Sequence, residues 1–259
     1  MNDVERLHLN KPANLGQFPY LIALLYRNYR IKCTGVLLTQ YHILTAARCV
    51  ITRETDLDQS DLKYAMAGDI IHVENVANAY QELREINVIL IHPEYVGSKN
   101  IRFDIAVLKV EEKFPLNKYL HYAKFGGYSP IEWWYQRELT LVGWGEFLPG
   151  GNCDHRLRYS PVQMSPKGTC SLPKGEDLFC GENKYGCNGA VGSPLMVGKE
   201  VRGLYLESRY NETLRKTFSI YLRIHHQLFW IYQALASEKF SSPKLKQSSQ
   251  TNNTGVVLS

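Results

Sequence analysis

Apolar residues in this chain come in runs too short for ordinary helices. FPYLIALLY, TGVLLT, HILTAA, INVILIH, DIAVLKV, LTLVGWG, PLMVG, VRGLYL and FSIYLRI are each apolar or alternating, and each is bounded by Gly, Pro, Asn or charged residues. Helices average about three turns and carry a 3.6-residue stripe, whereas strands are satisfied by short runs between turns. The pattern is therefore all-β. The exception is the stretch from His226 to Ala236, where Leu228, Ile231, Tyr232 and Leu235 share one helical face and predict a closing helix. Residues 239–259, rich in Ser, Lys, Gln and Asn, bury too little to fold and read as a flexible tail. No repeat or linker divides the rest.

Charge and cysteine content narrow the class of function. The formal net charge of +5 comes from 30 basic and 25 acidic residues that are interspersed outside the tail, so no basic stripe marks a nucleic-acid surface. No apolar run approaches the 18 or so residues of a membrane-crossing helix. MNDVERLHLN lacks the basic, apolar and small-residue order of a secretory leader. Cys33, Cys49, Cys153, Cys170, Cys180 and Cys187 are even in number and none sits in a CxxC pair, which favours disulfides over zinc. Asn-X-Thr triplets at Asn211 and Asn252 would be glycosylation acceptors on a secretory route. An extracellular protein whose start is incomplete is the expectation, with no cofactor and no metal.

Four segments in order carry a family resemblance: GQFPYLIALL, TGVLLTQYHILTAARC, FDIAVLKV and CNGAVGSPLMVGKEVRGL. With HPEY, GWG and IYLRI they resemble the chymotrypsin/trypsin-like serine proteases from about Leu7 to Ala236. The resemblance implies two packed six-stranded antiparallel β-barrels with the active site in the cleft between them, and a C-terminal helix. One domain over residues 1–238 is expected, with an N-terminal barrel at about 18–122, a C-terminal barrel at about 133–226 and the helix at about 226–236. It also implies Cys33–Cys49 and Cys170–Cys180 bridges, which leaves Cys153 and Cys187 for a third.

The same alignment departs from the family where the chemistry lies. The family mechanism needs a serine to attack, a histidine to carry the proton and an aspartate to hold the imidazole. By resemblance Arg48 stands where the histidine belongs, Val191 where the serine belongs and Ala190 in place of the acidic residue before it, while Asp104 matches the aspartate. A guanidinium stays protonated at any physiological pH and a valine has no nucleophilic atom. Tyr185 and Ser219 add bulk where the specificity pocket should open, and Leu206, Glu207 and Ser208 replace its Ser-Trp-Gly edge. The activation sequence after Arg6 reads Leu7, His8, Leu9 and Asn10, and its carboxylate acceptor is Ala190. Arg48 and Asp104 are expected to face each other as an ion pair.

Substitutes for the lost groups are poor. Ser193 lies two residues past Val191 at a position the family gives to a packed glycine, His42 lies six residues before Arg48, and His225 and His226 begin the closing helix. Cys187 has no histidine placed to activate it. The reading is a non-catalytic protease homologue, not an enzyme, that binds a protease, an inhibitor or a protease substrate in a secreted proteolytic, defence or reproductive system. The alternatives are a divergent hydrolase using other residues and a structural protein without a specific partner; an exposed member of the Trp133–Trp134 pair would speak against the latter. Recognition is expected on rim loops, ITRETDLDQSDLKY, the Cys153 loop and ESRYNETLRK, the last with Glu207, Arg209, Glu212, Arg215 and Lys216. Oligomeric state is left open.

Overall fold

A computed structural model describes residues 11–51, 61–70, 79–128 (backbone only at 98–100), 130, 137–144, 156–166, 168–170, 172, 177–182 and 190–237. Its strands are β1 (Lys11–Pro12), β2 (Leu21–Tyr26), β3 (Ile31–Leu37), β4 (His42–Thr45), β5 (Leu62–Ala67), β6 (Glu82–Ile91), β7 (Ala106–Val110) and β8 (Lys124–Phe125) in the first half. In the second half they are β9 (Leu139–Trp144), β10 (Leu157–Met164), β11 (Leu178–Glu182), β12 (Pro194–Val197), β13 (Glu200–Asn211) and β14 (Lys216–Arg223), followed by helix α1 (Ile224–Leu235).

Two antiparallel six-stranded barrels result. The first closes in the order β2-β3-β4-β7-β6-β5. The second runs β10-β11-β14-β13-β12-β9 and closes by pairing β9 back onto β10. Closure leaves no long edge strand in either barrel among the described residues, which lets such apolar segments exist without pairing to other chains. On the first barrel's strands Ile22, Leu24, Leu37, Ile43, Leu44 and Met66 are all without solvent exposure, so both faces of β4 are covered. Short ties lash the first half of the chain to the second barrel, with β1 adding to β10 and β8 running parallel to β13. The Thr34 amide also donates to the Val191 carbonyl at 2.9 Å, joining β3 to the segment before β12.

Besides the two-residue ties β1 and β8, three barrel strands escape the apolar-run reading, β5, β10 and β11. β5 begins inside ITRETDLDQSDLKY, so the end of that expected rim loop is a barrel strand paired with β2 and β6. β10 contains Pro161, a turn signal in sequence. β11 pairs with β10 only from Gln163 onward, so Pro161 has β9 on one side alone and its missing N–H breaks no ladder on the other. ESRYNETLRK is likewise no loose loop, since Arg209, Tyr210 and Asn211 of β13 pair with Phe218, Thr217 and Lys216 of β14.

Helix α1 starts two residues earlier than its sequence pattern suggested and buries Ile224, Gln227, Ile231 and Ala234. Leu228 and Leu235 are partly buried against the core, but Tyr232 is 61% exposed, which corrects its place on the docking face. The inner stripe is set by Ile224 continuing from β14, and the small Ala234 lets the helix approach closely. The helix closes the molecule by reaching back to the first half. Trp230 packs on His92 with ring centroids 4.9 Å apart, and Gln227 Nε2 donates to the Arg102 carbonyl at 3.5 Å. Asp177 takes Arg102 Nε at 2.8 Å on one oxygen and contacts His226 Nδ1 at 3.2 Å on the other, a clamp across both halves and the helix. No helix among the described residues is long and apolar enough to cross a membrane.

Candidate functional site: the cleft around Arg48

Arg48 lies in a single 3-10 turn, Ala47–Cys49, directly after β4. The Cys33–Cys49 disulfide fastens this turn to β3, so the residue is held on covalently anchored backbone. Asp104 ends the 3-10 segment Ser98–Phe103 just before β7, and β7 pairs with β4. Adjacent strands of one barrel thus bring the two residues together. Asp104 is fully buried; its Oδ1 accepts the Arg48 backbone N–H at 2.9 Å and its Oδ2 accepts from Arg48 Nε.

A second carboxylate completes the arrangement. Glu207 Oε2 accepts from Arg48 Nη1 at 2.9 Å, and Glu207 Oε1 accepts from Arg209 Nε at 2.5 Å. Glu207 reaches the cleft because β13 carries a bulge. Tyr205 pairs with Tyr221 and Glu207 with Ile220, which leaves Leu206 as an extra residue, wholly buried. Such a bulge re-aims the side chain after it. The outcome is a chain of alternating charge, Asp104, Arg48, Glu207 and Arg209, crossing from one barrel to the other.

Electrostatics follow from that order. Burial opposes the Arg48 charge, but Asp104 and Glu207 outweigh it and raise the guanidinium's pKa above its ordinary value. Burial likewise opposes the Glu207 carboxylate, yet hydrogen bonds and charge from Arg48 and then Arg209 hold its pKa below the ordinary glutamate range. For Asp104 burial dominates and the pKa rises, with Arg48 pulling it back in part. A lowered folded pKa means stability that is present above the unfolded value, about 4.3, and is lost as pH falls through the folded one. The stability difference between wild type and Glu207→Gln in urea should therefore be constant near neutrality and shrink toward zero below that value. A difference that ignores pH down to 3 would show that the Glu207 charge contributes nothing.

Around Val191 the backbone is tightly fixed. Ser193 N–H donates to the Ala190 carbonyl at 3.0 Å, Gly192 N–H to the Tyr205 carbonyl at 2.8 Å and Tyr205 N–H to the Ser193 carbonyl at 2.8 Å. Gly192 has φ +81, and a Cβ there would lie 2.2 Å from the Thr34 carbonyl oxygen, so only glycine fits. Ala190 is buried and Val191 half-buried, packed against the cores of both barrels. Ser193 is fully buried, its Oγ filling the space where Gly143 has no side chain.

The remaining site residues divide as follows. His42 bonds Thr39 Oγ1 through Nδ1 at 2.8 Å, and burial followed by the charge of Lys109 pushes its pKa down to about 4. His226 is held by Asp177, and His225 stands against the Tyr128 ring with centroids 5.1 Å apart. Neither joins the Arg48 cluster. Ser219 is fully buried with its Oγ 3.3 Å from Ser208 Oγ, which in turn lies 3.0 Å from the Tyr205 hydroxyl. Cys170 is bridged to Cys180. Tyr185, Cys153, Cys187, Trp133, Trp134, Asn252, the segment from Arg6 to Asn10, and residues 52–60 and 239–259 lie outside the described residues.

The role of Glu207 is not legible in the sequence, where it stands as one charge of the ESRYNETLRK segment. The available signal was chemical: a guanidinium offers five donors, more than the one carboxylate of Asp104 can take. Among the expected rim charges, Glu207, Arg209 and Lys216 are all engaged within the molecule, Lys216 with Glu182 at 2.6 Å.

Comparison with known proteins fits this architecture. The family model described as Trypsin matches residues 9–231. Among curated relatives, a venom protease of Bombus pensylvanicus is 29% identical over 216 residues, 73% of this chain and 82% of that protein. The venom serine protease Bi-VSP of Bombus ignitus is 34% identical over 220 residues, 73% of this chain but only 56% of that longer protein. A trypsin of Saccharopolyspora erythraea is 26% identical over 204 residues, 74% of this chain and 82% of that protein.

Proposed function

Because the chain belongs to the trypsin family of serine proteases, we propose that it is a member which has lost hydrolysis and acts by binding. The observation that carries this reading is the Arg48 guanidinium held between Asp104 and Glu207. Aligned with the family, Arg48 takes the place of the general base, and a cation whose pKa is raised further cannot accept a proton from a nucleophile. Val191, in the place of the nucleophile, offers only carbon. The buried Leu206 and the Ser208–Ser219 contact, on strands that border the family's substrate pocket, support a pocket filled from within.

With the family fold retained and its reactive groups replaced, binding of a protein is the activity left to this surface. The partner class is a protease, a protease inhibitor or a protease substrate, met outside the cell. The disulfides and the venom proteases among the relatives support that location. Labelling with a serine-reactive phosphonate and assay with peptide esters test the loss of chemistry. The expected result is no adduct and hydrolysis at the buffer rate, with active trypsin as control. A stoichiometric adduct on any serine, with turnover, would favour a divergent hydrolase. Affinity capture from native extracellular fluid should enrich one of the three partner classes.

A further inference from the structure

β13 ends at Asn211 and β14 begins at Lys216, so the Asn211-Glu212-Thr213 triplet starts on the last paired residue and runs into the hairpin turn. Asn211 Oδ1 accepts the Leu214 N–H, three residues on, at 3.0 Å, which fixes the side chain across the turn. Nδ2 is directed at the Thr169 carbonyl, 3.4 Å away, at the outer limit of a hydrogen bond. Every residue from Glu212 to Lys216 is exposed, and Tyr210 and Leu214 present 61% and 47% of their surface to solvent beside the asparagine. Tyr210 at the end of β13 and Leu214 on the turn thus flank the asparagine with exposed apolar surface.

A cavity of about 290 Å³ opens next to this turn, and Asn211 itself lines it. Its walls combine apolar Leu172, Phe218 and Ile220 with polar Arg209, Glu212 and Thr213. That mixture suits a pyranose, which has apolar faces and polar edges, and the volume is at the small end of ligand sites, about 300 Å³ and upward. A single sugar fits where a larger ligand would not.

We propose that Asn211 is N-glycosylated, that the first N-acetylhexosamine seats in this cavity, and that the following sugars cover Tyr210 and Leu214. In the transfer, Nδ2 forms a bond to the anomeric carbon of a lipid-linked oligosaccharide. The carbon–oxygen bond to the lipid pyrophosphate breaks, and the amide proton passes to the base of the host transferase. The inference rests on the extracellular reading, since that chemistry belongs to the secretory route. It moves partner recognition from the hairpin tip toward the cleft itself.

The test expresses the full chain behind a heterologous secretion leader in insect cells, with glycopeptide mass spectrometry and peptide N-glycosidase digestion. Asn211 should carry a glycan; Asn211→Gln and Thr213→Ala should each remove it, and Asn252→Gln should leave it. Cleavage of the Asn211 glycan should be at least tenfold slower on the folded protein than after reduction and unfolding. Secreted wild-type chain with a bare Asn211 would overturn the site while leaving the extracellular reading intact. Equal cleavage rates on folded and unfolded protein would overturn the seat. Protein from its native source found inside cells with Asn211 bare would overturn both readings.

Discussion

Arg48→Met should destabilise the protein by about 3 kcal/mol in urea, the low end of the range for breaking a buried ion pair. Asp104 has no exposed surface, and without the guanidinium it keeps one backbone donor, so its carboxyl is either stranded as a charge or forced to take a proton. Glu207 loses its partner at the same moment and is left with Arg209, whose side chain is 46% exposed and therefore well screened. The figure sits at the low end because Arg48 itself retains 22% side-chain exposure, so water reaches part of the gap. Combining Arg48→Met with Asp104→Asn should recover most of the loss, since a neutral amide can still accept the Arg48 backbone N–H without a stranded charge. An equal cost for Arg48→Met in the presence and absence of Asp104→Asn would mean that the pair is not coupled, and the cleft bridge would lose its energetic meaning.

Restoring the family's reactive groups with Arg48→His and Val191→Ser should still leave peptide-ester hydrolysis at the buffer rate. Family enzymes accelerate such reactions by many orders of magnitude, so even a poor restoration would be visible. It is not expected because hydrolysis needs more than a base and a nucleophile. By resemblance, the carboxylate that orders the oxyanion loop is absent at Ala190, which is buried in an apolar cluster. Leu206 offers no hydroxyl to support Asp104, and Glu207 would remain beside the new imidazole with its own charge. The Ser208–Ser219 contact, on strands that by resemblance border the pocket, is unchanged. Turnover well above buffer in the double variant would show that these secondary changes are tolerated and that the proposed loss of hydrolysis rests on the two substituted side chains alone.

Much of the architecture can be read along the chain because barrel strands advertise themselves. Runs such as HILTAA and DIAVLKV are apolar on the side that the barrel needs, and their short length excludes helices, so β4 and β7 are legible without coordinates. β5, β10 and β11 are not, because only part of each is buried and because Pro161 and Gly181 carry the signature of turns. Their strand character comes from neighbours far away in sequence, β2 and β6 for β5, β9 for β10 and β14 for β11. The helix was visible through its period, but not the rotation that leaves Tyr232 in solvent. Rotation depends on the surface it docks on.

At the cleft, residue identity alone decides the chemistry open to Arg48 and Val191, because protonation and nucleophilicity are properties of the side chain. The partners of Arg48 are another matter. Asp104 is 56 residues away and Glu207 is 159 residues away in the chain, and no local pattern links them. Asp104 arrives because β4 and β7 are neighbours in the first barrel, whereas Glu207 arrives only when the second barrel closes against it and the bulge at Leu206 turns the strand. A bulge is a mismatch between two strands, so it exists only once they pair, and the charge bridge across the cleft is therefore a product of the tertiary fold.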